Sequence, residues 1–237
     1  MDEYEAHAIV IKDHPVSEKG WGELMKSHQK VGNDFSLSRF DAFTEKDVNP
    51  IMKQYRINWN WPWSGSHYDT DTKIRKVAYG TKVKERRIAC ALSHYFLWKK
   101  CADEDRSILI LEHDAIFIDR VPISVLLNSK YSVIGLNDPA NATRKSPVFD
   151  KIVKEGKSRG EELIPVPNID KEEIAQGLAG ASAYLIKPDA ASELITKVSS
   201  VGLWPNDALI CRQLFDFIGV STKYYTKVQG LVSTTTR

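Results

Sequence analysis

LILEHDAIF, residues 109–117, sets an uninterrupted apolar run against Glu112-His113-Asp114 and then returns to apolar residues. With Ile108 included, Ile108–Leu111 reads as a central strand, because it is continuous rather than alternating, as expected where both faces of a sheet are covered. Ligands of open α/β sheets gather at the carboxyl ends of the strands, which is where Glu112 and Asp114 fall. Residues two apart on extended chain point the same way. Two carboxylates at that spacing suit a hard divalent cation, which in turn can hold a diphosphate. The chemistry that asks for such a site is transfer from an activated, doubly phosphorylated donor, with the metal neutralising charge on the leaving group. The competing reading is an ordinary acidic surface turn. His113 points away from both acids in this geometry, either packed or facing solvent.

Around this strand the pattern alternates. Ala8–Ile11 is a short β-branched run and reads as a first buried strand. A weakly helical stretch follows Pro15, with Trp21, Leu24 and Met25 on one side. Arg39–Phe43 reads as a second strand. Ile88 to Cys101 carries Ile88, Leu92, Tyr95 and Trp98 at helical spacing. Tyr131–Leu136 and Ala183–Ile186 read as further strands. Pro188 to Val198 is a helix with proline in its first turn, and Trp204 to Phe217 continues a helical pattern. The tail from Thr222 has weak strand character. Strands alternating with helices predict an α/β fold.

Two segments lack clean periodicity. Residues 44–84 read as a long functional excursion, since structureless loops of that length are uncommon in compact domains. It holds Trp59, Trp61 and Trp63 within five residues, which either stack on sugar rings or bases or pin the loop to the core. Residues 141–170 are polar and basic and read as a mobile loop. There Arg144, Lys145, Lys151, Lys154, Lys157 and Arg159 either close over a diphosphate or form a solvated surface.

Bulk properties narrow the classes. The 237 residues carry 33 basic and 31 acidic side chains, a net charge of +2, which argues against a protein built mainly to grip nucleic acid. Three cysteines, Cys90, Cys101 and Cys211, show neither disulfide nor zinc spacing. No long uncharged apolar run predicts a transmembrane helix. The opening MDEYEAH is acidic and lacks a cationic leader, so a cytoplasmic protein is expected.

The block Ala89–Trp98, ACALSHYFLW, followed after a short spacer by ILILEHDAIF, resembles glycosyltransferase family 25, the family of bacterial lipopolysaccharide sugar transferases and collagen galactosyltransferases. Its members look like "GCxLSHxxxW" and then "xLxLEDDxxF". Arg39-Phe40-Asp41-Ala42 is similar to the family's "RFxA", Gly180–Ile186 to its "GTxAYxxS" strand, and Pro205-Asn206-Asp207 to its "PxD". This chain departs from the pattern at Arg87, where "GEIGC" has an acid, at Lys12-Asp13-His14, which replaces "NLDRxxxR", and at His113.

The resemblance implies a GT-A-like, Rossmann-like mixed sheet flanked by helices, as one domain over residues 1–237. The nucleotide-sugar part would be about 1–120 and the acceptor part about 121–237. It implies a UDP-galactose-like nucleotide-sugar donor, Mn²⁺ or Mg²⁺ on Glu112 and Asp114, and inverting transfer of a hexose to a glycan, lipid-linked or protein hydroxyl. Asp207 becomes the candidate general base, against the alternative that it merely caps its helix. Lys12, Ser93, His94, His113, Asn206, Gln229 and Ser233 become candidate donor or substrate contacts. The departures leave open a non-catalytic glycan or nucleotide binder on the same fold.

Overall fold

The computed structural model describes residues 4–140, 142–143 and 145–234. Its centre is a seven-stranded mixed sheet. The first strands are β1 (Tyr4–Val10), β2 (Leu37–Asp41) and β5 (Ser107–Glu112), with β7 (Val133–Gly135), β8 (Leu163–Pro165), β9 (Ala183–Ile186) and β10 (Ile218–Ser221) completing it in the order β2-β1-β5-β9-β7-β10-β8. β1 runs parallel to β2 and β5, and β7 parallel to β10. β9 is antiparallel to both β5 and β7, and β8 to β10.

The continuous apolar run of β5 is explained by its position inside this sheet. Ile108 and Ile110 enter one hydrophobic cluster and Leu109 and Leu111 the other, all four being buried. Strand pleating sends alternate residues to opposite faces, so a strand covered on both must be apolar throughout. α3 (Lys84–Asp103) and α6 (Pro188–Val201) pack together over the first face. α1 (Pro15–Lys30) covers the second, with Leu24 fully buried. The α/β class and the mixed sheet with flanking helices are as the sequence reading has them.

Three local readings are corrected. The excursion over 44–84 is ordered: it forms α2 (Glu45–Tyr55) and the hairpin of β3 (Ser66–Asp69) and β4 (Ile74–Val77). Thr44 and Asp47 form a capping box that starts α2 despite Pro50 within it. Trp61 pins the segment, donating its Nε1–H to the Val77 carbonyl at 2.9 Å and tilting onto Trp204, while Trp59 and Trp63 stack on each other at 5.1 Å. The basic stretch contains a helix, α5 (Ser146–Ser158), which buries Phe149 and Val153 four residues apart; Arg144 lies outside the described residues. The helical pattern after Trp204 shrinks to the single turn α7 (Asn206–Leu209), after which the chain turns away to feed β10.

The remaining elements are β6 (Ala115–Phe117), paired antiparallel with β11 (Thr226–Val228), and the short α4 (Ile123–Leu127). The β6–β11 ribbon brings the tail back beside the turn that follows β5. Among the described residues, no helix is long and apolar enough to cross a membrane. All three cysteines are free thiols.

Candidate active site

A cavity of about 350 Å³ opens at the carboxyl ends of β1 and β5, and both Glu112 and Asp114 line it. Their shared facing is not produced by strand pleating, since β5 ends at Glu112 and residues 113–114 form a turn. Two backbone features hold that turn. The Glu112 and His113 amides donate to the Ser182 and Ile9 carbonyls. Gly20 of α1 lies so close that a Cβ there would meet the His113 carbonyl oxygen at 2.5 Å.

The two acids are held in different states. Burial alone would push the Glu112 carboxyl up, but the hydrogen bond from His94 brings it below its ordinary value. Burial and then the Glu112 charge push Asp114 up to about 7. Asp114 Oδ1 is buried and, among the described residues, has no hydrogen-bond partner. A pair of carboxyls whose environments drive them apart in this way is a common sign of a functional site.

Behind Glu112 stands a hydrogen-bonded relay. Trp98 Nε1–H donates to the Tyr184 hydroxyl at 2.8 Å, that hydroxyl lies 2.8 Å from His94 Nδ1, and His94 Nε2 lies 3.1 Å from Glu112 Oε1. Every donor is satisfied when the Tyr184 proton goes to Nδ1 and Nε2–H faces the carboxylate. His94, Trp98 and Tyr184 are fully buried, so the relay fixes the Glu112 side chain from within the core.

Asp207, in the first turn of α7, lines the same cavity. The helix cap is Pro205, so Asp207 is not the cap residue. Burial raises its carboxyl, and the Tyr79 hydroxyl donates to Oδ2 at 3.4 Å. Asn206 lines the cavity too, 4.0 Å from the Cys90 thiol through its Oδ1.

The other predicted residues separate. His113 and Ser233 line the cavity. Ser93 does so as well, but its hydroxyl ties α3 to the β2–α2 connection, donating to the Ala89 carbonyl and accepting from the Phe43 amide. Lys12 is exposed and outside the cavity lining. Gln229 is a tether: its side-chain amide reaches the carbonyls of Gly20, His113 and Ala115, and its backbone N–H donates to the Asp114 carbonyl. Residues that sequence reasoning did not place here include His14, whose Nδ1 is buried without a partner among the described residues, and Arg87. Both occupy positions noted only as departures from a motif.

A hard divalent cation fits the acid pair. Asp114 offers an orphaned oxygen, and the mutual repulsion of the two carboxylates is what a cation relieves. Cys90, His94 and Glu112 also bring ligand atoms within 4.8 Å of one another. That set is less suited, because burial holds the Cys90 thiol well up in its protonated range and both His94 nitrogens are engaged.

The sequence profile described as glycosyltransferase family 25 (LPS biosynthesis protein) matches residues 25–210. No curated protein sequence matches the chain. Among solved structures, a glycosyltransferase involved in the glycosylation of the major capsid of the virus PBCV-1 is similar at 9% identity and TM-score 0.37, over 84% of this chain and 66% of that one. Glycosyltransferase GlyE of Streptococcus pneumoniae TIGR4 is similar at 12% and 0.34, over 84% of this chain and 39% of that one. Mouse xyloside xylosyltransferase 1 is similar at 10% and 0.39, over 90% of this chain and 80% of that one. The chain thus spans 66% and 39% of the length of the first two.

Proposed function

The chain belongs to glycosyltransferase family 25, and from that premise we propose that it is a metal-dependent enzyme with a GT-A-like fold that moves a galactose-like hexose from a UDP-sugar to a hydroxyl acceptor, with inversion. The observation that carries this reading is the convergence of Glu112, Asp114 and Asp207 on one cavity, with the first two in opposed electrostatic states.

Glu112 and Asp114 would hold Mn²⁺ or Mg²⁺, which when bound supplies positive charge against the departing diphosphate. His94 orients Glu112 through the Tyr184–Trp98 relay and keeps it ionised. Asp207 takes the proton from the acceptor hydroxyl as that oxygen forms its bond to the anomeric carbon. The bond from that carbon to the diphosphate oxygen breaks on the far side, and the diphosphate leaves with the electron pair. Burial raises the proton affinity of Asp207, which strengthens it as a base. Ile9, Phe43, Ala89 and Leu231 give the same cavity apolar lining. The family description, with its mention of LPS biosynthesis, supports an acceptor in lipopolysaccharide assembly; glycan, lipid-linked and protein hydroxyls share the chemistry that Asp207 requires.

Purified protein incubated with a panel of nucleotide sugars tests this reading. Donor consumption that needs Mn²⁺ or Mg²⁺, stops with a chelator and is lost in Asp114→Ala supports it. A protein that turns over no donor with any divalent ion, or an Asp114→Ala variant as active as the wild type, overturns it.

A further inference from the structure

Arg87 sits in the first turn of α3 and lines the cavity with Glu112, Asp114 and Asp207. Two contacts fix its guanidinium. The Nε–H donates to Thr81 Oγ1 at 2.8 Å, and the central carbon stands 4.6 Å from the centre of the Tyr79 ring. Among the described residues its two Nη groups hold no hydrogen bond or ion pair. The other cations nearby are engaged or elsewhere: Arg86 pairs with Glu45, and Lys12 lies outside the cavity lining.

The position is electrostatically connected to the whole site. Burial pushes the proton affinities of Asp207, Glu112 and Cys90 up, prevailing at Asp207 and Cys90 but not at Glu112, and against it the Arg87 charge favours the ionised form of all three. Yet no carboxylate holds its fork. A planar guanidinium that lines a cavity, anchored through Nε and one ring face and with no partner for its Nη groups among the described residues, has the geometry for bidentate recognition of an oxyanion. The amino end of a 20-residue helix adds to the preference for negative charge there.

We propose that Arg87 binds the diphosphate of the nucleotide-sugar donor through its Nη groups. This inference rests on the donor reading above and assigns to Arg87 a direct contact with the leaving group. At this position the family pattern carries an acid, so the contact belongs to this chain rather than to the motif. The Tyr79–Thr81 segment becomes the support that aims the guanidinium, and it also links the donor contact to Asp207 through the Tyr79 hydroxyl.

Titration calorimetry with UDP, UMP, GDP and GMP at fixed Mg²⁺, on the wild type, Arg87→Gln and Arg87→Lys, tests the contact without requiring turnover. Charge-assisted hydrogen bonds of this kind predict a diphosphate affinity about ten- to hundredfold weaker in Arg87→Gln, with a smaller loss for the monophosphate and an intermediate loss in Arg87→Lys. If Arg87→Gln fails to fold by circular dichroism, Arg87→Lys carries the test on the same preference for diphosphate over monophosphate. Unchanged diphosphate affinity overturns the proposal. So does an equal loss for monophosphate and diphosphate, which would mark Arg87 as a general counter-charge. A wild-type chain that binds neither diphosphate overturns the donor reading itself and this inference with it, an outcome distinct from failure of the Arg87 contact alone.

Discussion

On the proposed reading, Asp114→Asn is expected to stabilise the metal-free protein and to abolish cation binding. The Asp114 carboxyl is pushed from 3.8 to about 7 by burial and by the Glu112 charge. Moved that far, its ionised form stands at a disadvantage of about 4 kcal/mol, at about 1.4 kcal/mol per tenfold change. That figure is a ceiling, because the side chain faces a solvent-accessible cavity and shares the effect with Glu112; screening reduces the expected gain to about 1–2 kcal/mol. The folded chain holds the Asp114 proton more tightly than the unfolded chain does. Wild-type stability therefore falls as pH rises from about 4 to about 7, and the deficit is complete above that window. Asparagine cannot ionise, so the variant lacks the deficit. Thermal melting in EDTA at pH 4 and pH 8 reads the difference. The expected result is near-coincident midpoints at pH 4 and a variant midpoint about 2–8 °C higher at pH 8. Added Mn²⁺ then raises the wild-type midpoint and leaves the variant unmoved. A variant less stable than the wild type at pH 8, or a gap of the same size at both pH values, would refute the argument that Asp114 is held in an unfavourable charge state for the sake of a ligand.

Three further outcomes follow from the same geometry. Asp207→Asn lowers kcat by about 10²–10⁴ and leaves donor KM essentially unchanged, as expected for a base that acts on the acceptor; steady-state kinetics at saturating metal check it. Tyr184→Phe leaves the Trp98 N–H and His94 Nδ1 without their shared partner. It costs about 1–3 kcal/mol in urea denaturation and weakens Mn²⁺ binding about ten- to hundredfold by calorimetry, whereas unchanged Mn²⁺ binding would confine the relay to a packing role. Gly20→Ala drives a methyl group into the His113 carbonyl; about 1–3 kcal/mol of stability is lost and the turn carrying Asp114 shifts, which weaker Mn²⁺ binding reports.

What was legible in the sequence was local and strongly patterned. β5 announced itself because four consecutive apolar residues need two covered faces, and α3 because its apolar positions recur at helical spacing. α5 was missed for the opposite reason. Its exposed face is crowded with lysine and it carries Gly156, so composition resembled a loop, although Phe149 and Val153 kept the four-residue spacing of a buried stripe. α2 was hidden by Pro50 and by a short, polar body, yet Thr44 with Asp47 three residues later was a readable start signal. Asp114 reaches the site without strand pleating, since the strand has ended and the turn, held by Gly20 and Gln229, does the aiming.

The site residues show where pattern gives way to three dimensions. The spacing of the Ser-His-x-x-x-Trp block has a physical cause: His94 and Trp98 are one helical turn apart, so both reach the single hydroxyl of Tyr184 on β9 and together brace Glu112 on β5. The partners are 86 and 90 residues away in sequence, so the block alone cannot reveal what its spacing serves. Arg87 is the converse case. Read along the chain it is a basic residue where the motif has an acid, and it weakens the match. In the fold it lines one cavity with three carboxyls that arrive from β5, the following turn and α7, so those acids have a cation beside them. The same substitution that departs from the family pattern therefore changes the balance of charge that a bound diphosphate would meet. Its consequence depends on groups that no local window of sequence brings together.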